Sequence, residues 1–180
     1  ATYTVSGGAQ NGAQIAAAKA ESVTITADKN VVLAAATDFS GAKTVTIASS
    51  GAFRDSSTNG LDAAATLNLS GTGSKAAATF DTLVGATDLA YSQTVTATGL
   101  KAGLTFTGGV DAGSGSLTVD AAGGTGAVDM STMDAGGTVT YTASSLGGNT
   151  LDQITAAKVV INASDALGGV TYSGGATDIS

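Results

Sequence analysis

Thr44-Val45-Thr46-Ile47 recurs in near copies along the chain. Ser22-Val23-Thr24-Ile25, Thr66-Leu67-Asn68-Leu69, Thr94-Val95-Thr96-Ala97, Ser116-Leu117-Thr118-Val119, Thr138-Val139-Thr140-Tyr141 and Lys158-Val159-Val160-Ile161 share its pattern. The second residues stand at 23, 45, 67, 95, 117, 139 and 159, so the successive steps are 22, 22, 28, 22, 22 and 20. A near-fixed period of this length marks a repeat architecture, in which each unit buries its apolar side only against its neighbours.

Within each copy polar and apolar residues alternate, and most are β-branched, as a half-buried strand requires. Val45 and Ile47 are expected to point inward and Thr44 and Thr46 outward. Six residues before the anchor stands another apolar residue: Phe39, Leu61, Leu89 or Met133, with Asp111 in that place before Leu117 and Val110 beside it. After the anchor comes a second apolar run, as in Val31-Val32-Leu33, Leu104-Thr105-Phe106, Val128-Asp129-Met130 and Val170-Thr171-Tyr172. Gly-Gly pairs between the runs, such as Gly123-Gly124 and Gly168-Gly169, supply corners.

One repeat is therefore two or three short strands joined by turns. It is too short for a strand, crossover helix and return strand, which take about 30 residues. The fold expected is all-β: a parallel β-solenoid of about eight coils, its coils about 4.8 Å apart. Two internal ladders are expected, Val23, Val45, Leu67, Val95, Leu117, Val139 and Val159, and beside it Ile25, Ile47, Leu69, Ala97, Val119, Tyr141 and Ile161. Residues 1–180 form a single domain in this reading. The long step between Leu67 and Val95 holds a lateral loop at residues 72–78. Ala13 to Glu21 is alanine-rich, and a short helical turn there is the minority reading. Ala176-Thr177-Asp178-Ile179 repeats a phrase that elsewhere leads into an anchor, so the chain is expected to be a segment of a longer polypeptide.

Composition narrows the function. The chain lacks cysteine, histidine, tryptophan and proline. Without cysteine there are no disulfides or thiolate metal sites, and without histidine the commonest general base is missing, so no enzymatic activity is expected. Fourteen acids against seven bases give a net charge of −7, which argues against nucleic acid as a partner. No stretch approaches the ~20 apolar residues of a membrane-spanning helix.

Ala20-Glu21-Ser22-Val23-Thr24-Ile25-Thr26, Gly41-Ala42-Lys43-Thr44-Val45-Thr46-Ile47 and Ala157-Lys158-Val159-Val160-Ile161-Asn162-Ala163 lie in a cysteine-free chain rich in Ala, Gly, Thr, Ser and Asp. In these phrases the chain resembles bacterial surface-layer proteins of the Caulobacter and Campylobacter type, and it is similar to the secreted repeats-in-toxin adhesins. The resemblance implies a calcium-dependent, secreted β-solenoid that tiles with copies of itself on the cell surface, often anchored to lipopolysaccharide. The family's calcium repeat, Gly-Gly-x-Gly-x-Asp, is most nearly approached at Gly124-Thr125-Gly126-Ala127-Val128-Asp129, which keeps the first glycine and the aspartate.

Candidate calcium ligands are Asp111, Asp120 and Asp129, each preceded by valine and spaced by nine, together with Asp134. Calcium takes six to eight oxygens, and glycine-rich corners expose carbonyls beside carboxylates. The simpler reading makes them solvated aspartates that cap turns through nearby backbone amides. A second constellation is the outward pairs Ser22/Thr24, Thr44/Thr46, Thr66/Asn68, Thr94/Thr96, Ser116/Thr118 and Thr138/Thr140. These resemble the ice-binding faces of β-solenoid antifreeze proteins, although outward threonine is also ordinary in strands. A pectin-lyase-like reading would need a basic residue among clustered acids, and Arg54-Asp55 is more simply a solvated loop pair. Tyr141 and Tyr172 are expected to pack between coils. The function expected is structural: self-assembly into an extracellular surface layer or fibre, with a glycan-binding adhesin as the alternative.

Overall fold

The computed structural model describes residues 2–5, 10–38, 40–55, 66–71, 77–84, 93–98, 100–130, 132–144 and 146–176. Its first strands are β1 (Thr2–Val5), β2 (Gln10–Ala13), β3 (Ser22–Ala27), β4 (Val31–Leu33) and β5 (Thr44–Ser49). They are followed by β6 (Phe53–Asp55), β7 (Thr66–Gly71), β8 (Ala77–Val84), β9 (Gln93–Thr96) and β10 (Gly103–Asp111). The last are β11 (Leu117–Asp120), β12 (Val128–Met130), β13 (Met133–Thr142), β14 (Asn149–Asn162) and β15 (Val170–Ala176). Among the described residues there is no helix.

Odd-numbered strands pair in the order β1-β3-β5-β7-β9-β11-β13-β14, and the even-numbered ones return as β14-β12-β10-β8-β6-β4-β2. Every pairing between them is parallel. The chain is thus a parallel β-solenoid with a repeat near 22 residues. The described residues make about five turns, fewer than the eight coils expected. Residues 6–9, 56–65, 72–76 and 85–92 lie outside the described residues.

Three stacks of strands make up each turn. The first holds β3, β5, β7, β9 and β11 with the later parts of β13 and β14; the second holds β4, β6, β12 and the openings of β8, β10, β14 and β15. The third is built from strand ends, with Val110 beside Met133 and Met133 beside Ile154. Register shifts at Phe106/Gly109, Ala135/Thr138 and Leu151/Ile154 mark where long strands bend from one stack to the next. Val110, one residue off the six-residue spacing, and not Asp111 fills the inward place before Leu117. Phe39, Leu61 and Leu89 lie outside the described residues.

The first expected ladder holds for four coils and the second for three, and then both shift. Val23, Val45, Leu67 and Val95 stand over one another, as do Ile25, Ile47 and Leu69. At the next step Val95 pairs with Val119, and Leu117 pairs with Gln93. The column from Val23 therefore continues through Val119, Tyr141 and Ile161, whereas Leu117, Val139 and Val159 form a column of their own. Because side chains alternate with a period of two, a slip of two residues keeps every apolar side chain inside, which a slip of one would not. Val95, Leu117, Val119, Val139 and Val159 are all fully buried.

Two local expectations are corrected, and one minority reading falls. Ala13 to Glu21 forms no helical turn: Ile15 and Ala17 are buried, and Ala16 bridges Asp38 of the next coil. The bonds Ala17 N–H to Asp38 O and Asp38 N–H to Ile15 O, both 2.7 Å, pair the segment as strand, so packing overrides alanine's propensity. Ala77 and Ala78 belong to β8 rather than to a lateral loop, because Ala78 fills the core column between Phe53 and Leu104; residues 72–76 are outside the described residues. Arg54 and Asp55 lie in β6, not in a loop, with Arg54 exposed and Asp55 buried in register with Leu33.

Candidate functional site

The outer surface of the first stack is the most regular feature of the molecule. Ser22, Thr44, Thr66, Thr94, Thr118, Thr140 and Val160 follow one another in register. Beside them run Thr24, Thr46, Asn68, Thr96, Asp120, Thr142 and Asn162. Strand geometry sets the spacing at about 4.8 Å along a column and about 6.7 Å between columns. The slip at β9/β11 changes membership: Thr118 and Thr140 join the first column, while Ser116 and Thr138 fall outside both. Beyond Asp120 the two columns carry no charged side chain.

The four candidate calcium ligands are placed on all three stacks. Asp111 and Asp134 are in register on the third, where Asp134 also neighbours Thr155. Asp120 closes β11 on the first stack. Asp129 is exposed on the second, between Thr105 and Thr150. The carboxylate of Asp111 accepts the Gly113 N–H at 2.7 Å, and that of Asp120 accepts the Ala122 N–H at 3.0 Å, so these two cap turns. Asp38 does the same, accepting the Ser40 hydroxyl at 2.7 Å and the Ser40 N–H at 3.1 Å. The hydroxyl bond first and the amide bond second hold its carboxyl below the usual carboxylate range. Among the described residues no three His, Cys, Asp or Glu side chains are grouped to hold a metal.

Inside the rod one polar network stands out. Asn149 is buried where the next coil has Val170, and it uses both ends of its carboxamide. Its Oδ1 accepts the Tyr141 hydroxyl at 2.6 Å and the Ser144 N–H at 3.0 Å. Its Nδ2 donates to the carbonyls of Gly147 and Gly169, both at 3.0 Å. Tyr141 is fully buried, as expected from packing, and desolvation pushes its phenol well above the ordinary tyrosine value. The sequence reading missed Asn149; its signal is Leu146-Gly147-Gly148-Asn149 against Leu167-Gly168-Gly169-Val170, an amide where a repeat mate is apolar.

Recesses among the described residues are small. One of about 190 Å³ lies between Ile47, Phe53, Leu69, Ala78 and Leu100, and another of about 180 Å³ between Ala97, Leu104, Ala121 and Val128. Neither has room for more than about one water molecule. Comparison with protein families, curated proteins and solved structures finds no match.

Proposed function

We propose that this chain is a structural rod of an extracellular bacterial surface layer or surface fibre, and that its activity is assembly with copies of itself. The observation that carries this reading is the in-register, nearly uncharged outer surface of the first stack. A rigid face that repeats at every coil presents the same contact many times, as lateral packing of rods needs, and contacts that do not close on themselves build sheets or filaments. Calcium enters as a bridge between rods. Asp129 and Asp134 are exposed on different stacks, so an ion held by either would draw the rest of its six to eight oxygens from a neighbouring molecule. Lipopolysaccharide or a surface glycan would be the anchoring partner, as the surface-layer resemblance implies.

The test is assembly itself. Adding calcium at millimolar concentration to the purified chain is expected to give sheets or filaments by electron microscopy, and a chelator is expected to disperse them. A chain that stays monomeric with calcium and instead binds a surface glycan would be an adhesin module, and the assembly reading would fall. The threonine columns favour one further reading, a water-ordering face that binds ice. Thermal hysteresis and faceted crystals would mark it, and their absence would remove it.

A further inference from the structure

Two tripeptides in the chain have the Asn-x-Ser pattern of acceptors for N-linked glycans: Asn68-Leu69-Ser70 and Asn162-Ala163-Ser164. The fold presents them differently. Asn68 lies in the middle of β7, half-buried and in register with Thr46 on one side and Thr96 on the other. Leu69 is locked into the core, so the segment cannot leave the sheet without opening a coil.

Asn162 is the last residue of β14, and residues 162–165 are all exposed. Its Oδ1 accepts both the Ser164 N–H at 3.3 Å and the Ser164 hydroxyl at 3.1 Å. The carboxamide and the hydroxyl, the two groups that define the acceptor pattern, are thereby held side by side in one turn. Both bonds engage the oxygen, and the residue that carries Nδ2 is exposed. Past Ser164 the chain stays at the surface through Leu167, which is 83% exposed.

We propose that Asn162 is an N-glycosylation site of the folded protein, taking an oligosaccharide from a polyprenyl diphosphate donor. In the transfer Nδ2 attacks the anomeric carbon, a C–N bond forms, and the bond from that carbon to the diphosphate oxygen breaks. The diphosphate leaves with the electron pair, and Nδ2 releases one proton. No oxidant or reductant is required. The proposal does not depend on the assembly reading, since it rests on the exposure and turn geometry of residues 162–165.

The folded chain would be incubated with an oligosaccharyltransferase that requires only Asn-x-Ser/Thr, a short polyprenyl-diphosphate oligosaccharide and a divalent cation. A reference acceptor peptide would confirm turnover, and intact mass with peptide mapping would read the product. One glycan per chain is expected, at Asn162. Asn162→Gln and Ser164→Ala should abolish it, Ser164→Thr should retain it, and Asn68→Gln should leave it unchanged, with far-ultraviolet circular dichroism showing each variant folded. Three results would overturn the proposal. The folded chain could stay unmodified while a synthetic peptide spanning residues 158–167 is glycosylated. Neither the chain nor that peptide could be modified while the reference peptide is. Asn68 could be glycosylated to an extent similar to Asn162, which would mean that the fold does not select the site.

Discussion

A single amide shows how this rod tolerates polarity in its core. Burying an unpaired polar group costs about 1–3 kcal/mol, and Asn149 avoids that cost through two accepted and two donated bonds. Asn149→Ala removes all four at once and leaves the Tyr141 hydroxyl and the Ser144 amide without their acceptor. A loss of about 3 kcal/mol in unfolding free energy is expected, read by denaturant titration. Tyr141→Phe is milder, about 1 kcal/mol at neutral pH, because Oδ1 keeps the Ser144 bond. The same variant probes pH. Tyr141 has its phenol raised in the fold, so its stabilising contribution is complete below the unfolded tyrosine value of about 10 and declines as pH rises above it. Stability of the parent should fall as pH rises above about 10 more steeply than that of Tyr141→Phe; equal slopes would show that another group governs. Asp38 gives the opposite sign. Its carboxyl is lowered, so its contribution is present above the ordinary aspartate value and is lost as pH falls through the folded one. Ser40→Ala should return Asp38 toward the ordinary value in a carboxyl-detected NMR titration, and no change would show that Ser40 is not the cause.

At the level of the strand, the alternation within each four-residue phrase fixed which side chains go inside, but the interval between phrases did not fix which rung meets which. Leu117 stands 22 residues after Val95, as the period asks, yet Val95 pairs with Val119. Both registers bury valine and leucine equally, so periodicity cannot separate them. The difference lies at the corners, where Thr107-Gly108 and Asp152-Gln153 absorb residues into bends between stacks. One of these corners is strained. Gln153 has φ 49°, a left-handed conformation that costs an L-residue about 1–2 kcal/mol. Gln153→Gly should therefore raise stability by about 0.5–1 kcal/mol, the relief of strain exceeding the added backbone entropy of glycine in the unfolded chain. Thermal melting would read this, and a lower melting temperature would mean that the Gln153 side chain contributes more than its backbone conformation costs. The candidate calcium ligands illustrate the same limit. Their sequence spacing of nine carries Asp111, Asp120 and Asp129 to three different stacks, because nine residues are less than half a turn.

Considered as a whole, the molecule is one-dimensional: each coil touches the coil before and the coil after, and a single apolar cluster runs along the axis. That much was legible from the seven anchors, since a repeat of about 22 residues with short alternating strands and no room for a crossover helix suits one turn of a solenoid. Surface chemistry was legible as composition but not as pattern, because the hydroxyl columns depend on the register that the corners set. Nearest-neighbour coupling has a measurable consequence. Leu67 sits fully buried between Val45 and Val95, and Leu67→Ala removes the central contact of that rung at a cost of about 2–5 kcal/mol. In a globular core such a loss would lower protection everywhere. Here the free energy of opening should fall locally, because the rungs of β13 and β14 contact one another and not Leu67. Native-state hydrogen exchange on Leu67→Ala should show faster exchange for amides of β5, β7 and β9 and unchanged rates for Val139, Tyr141 and Val159. A uniform acceleration across both ends would show that the rod opens as one cooperative unit, and that the coils are coupled more strongly than stacking of neighbours provides.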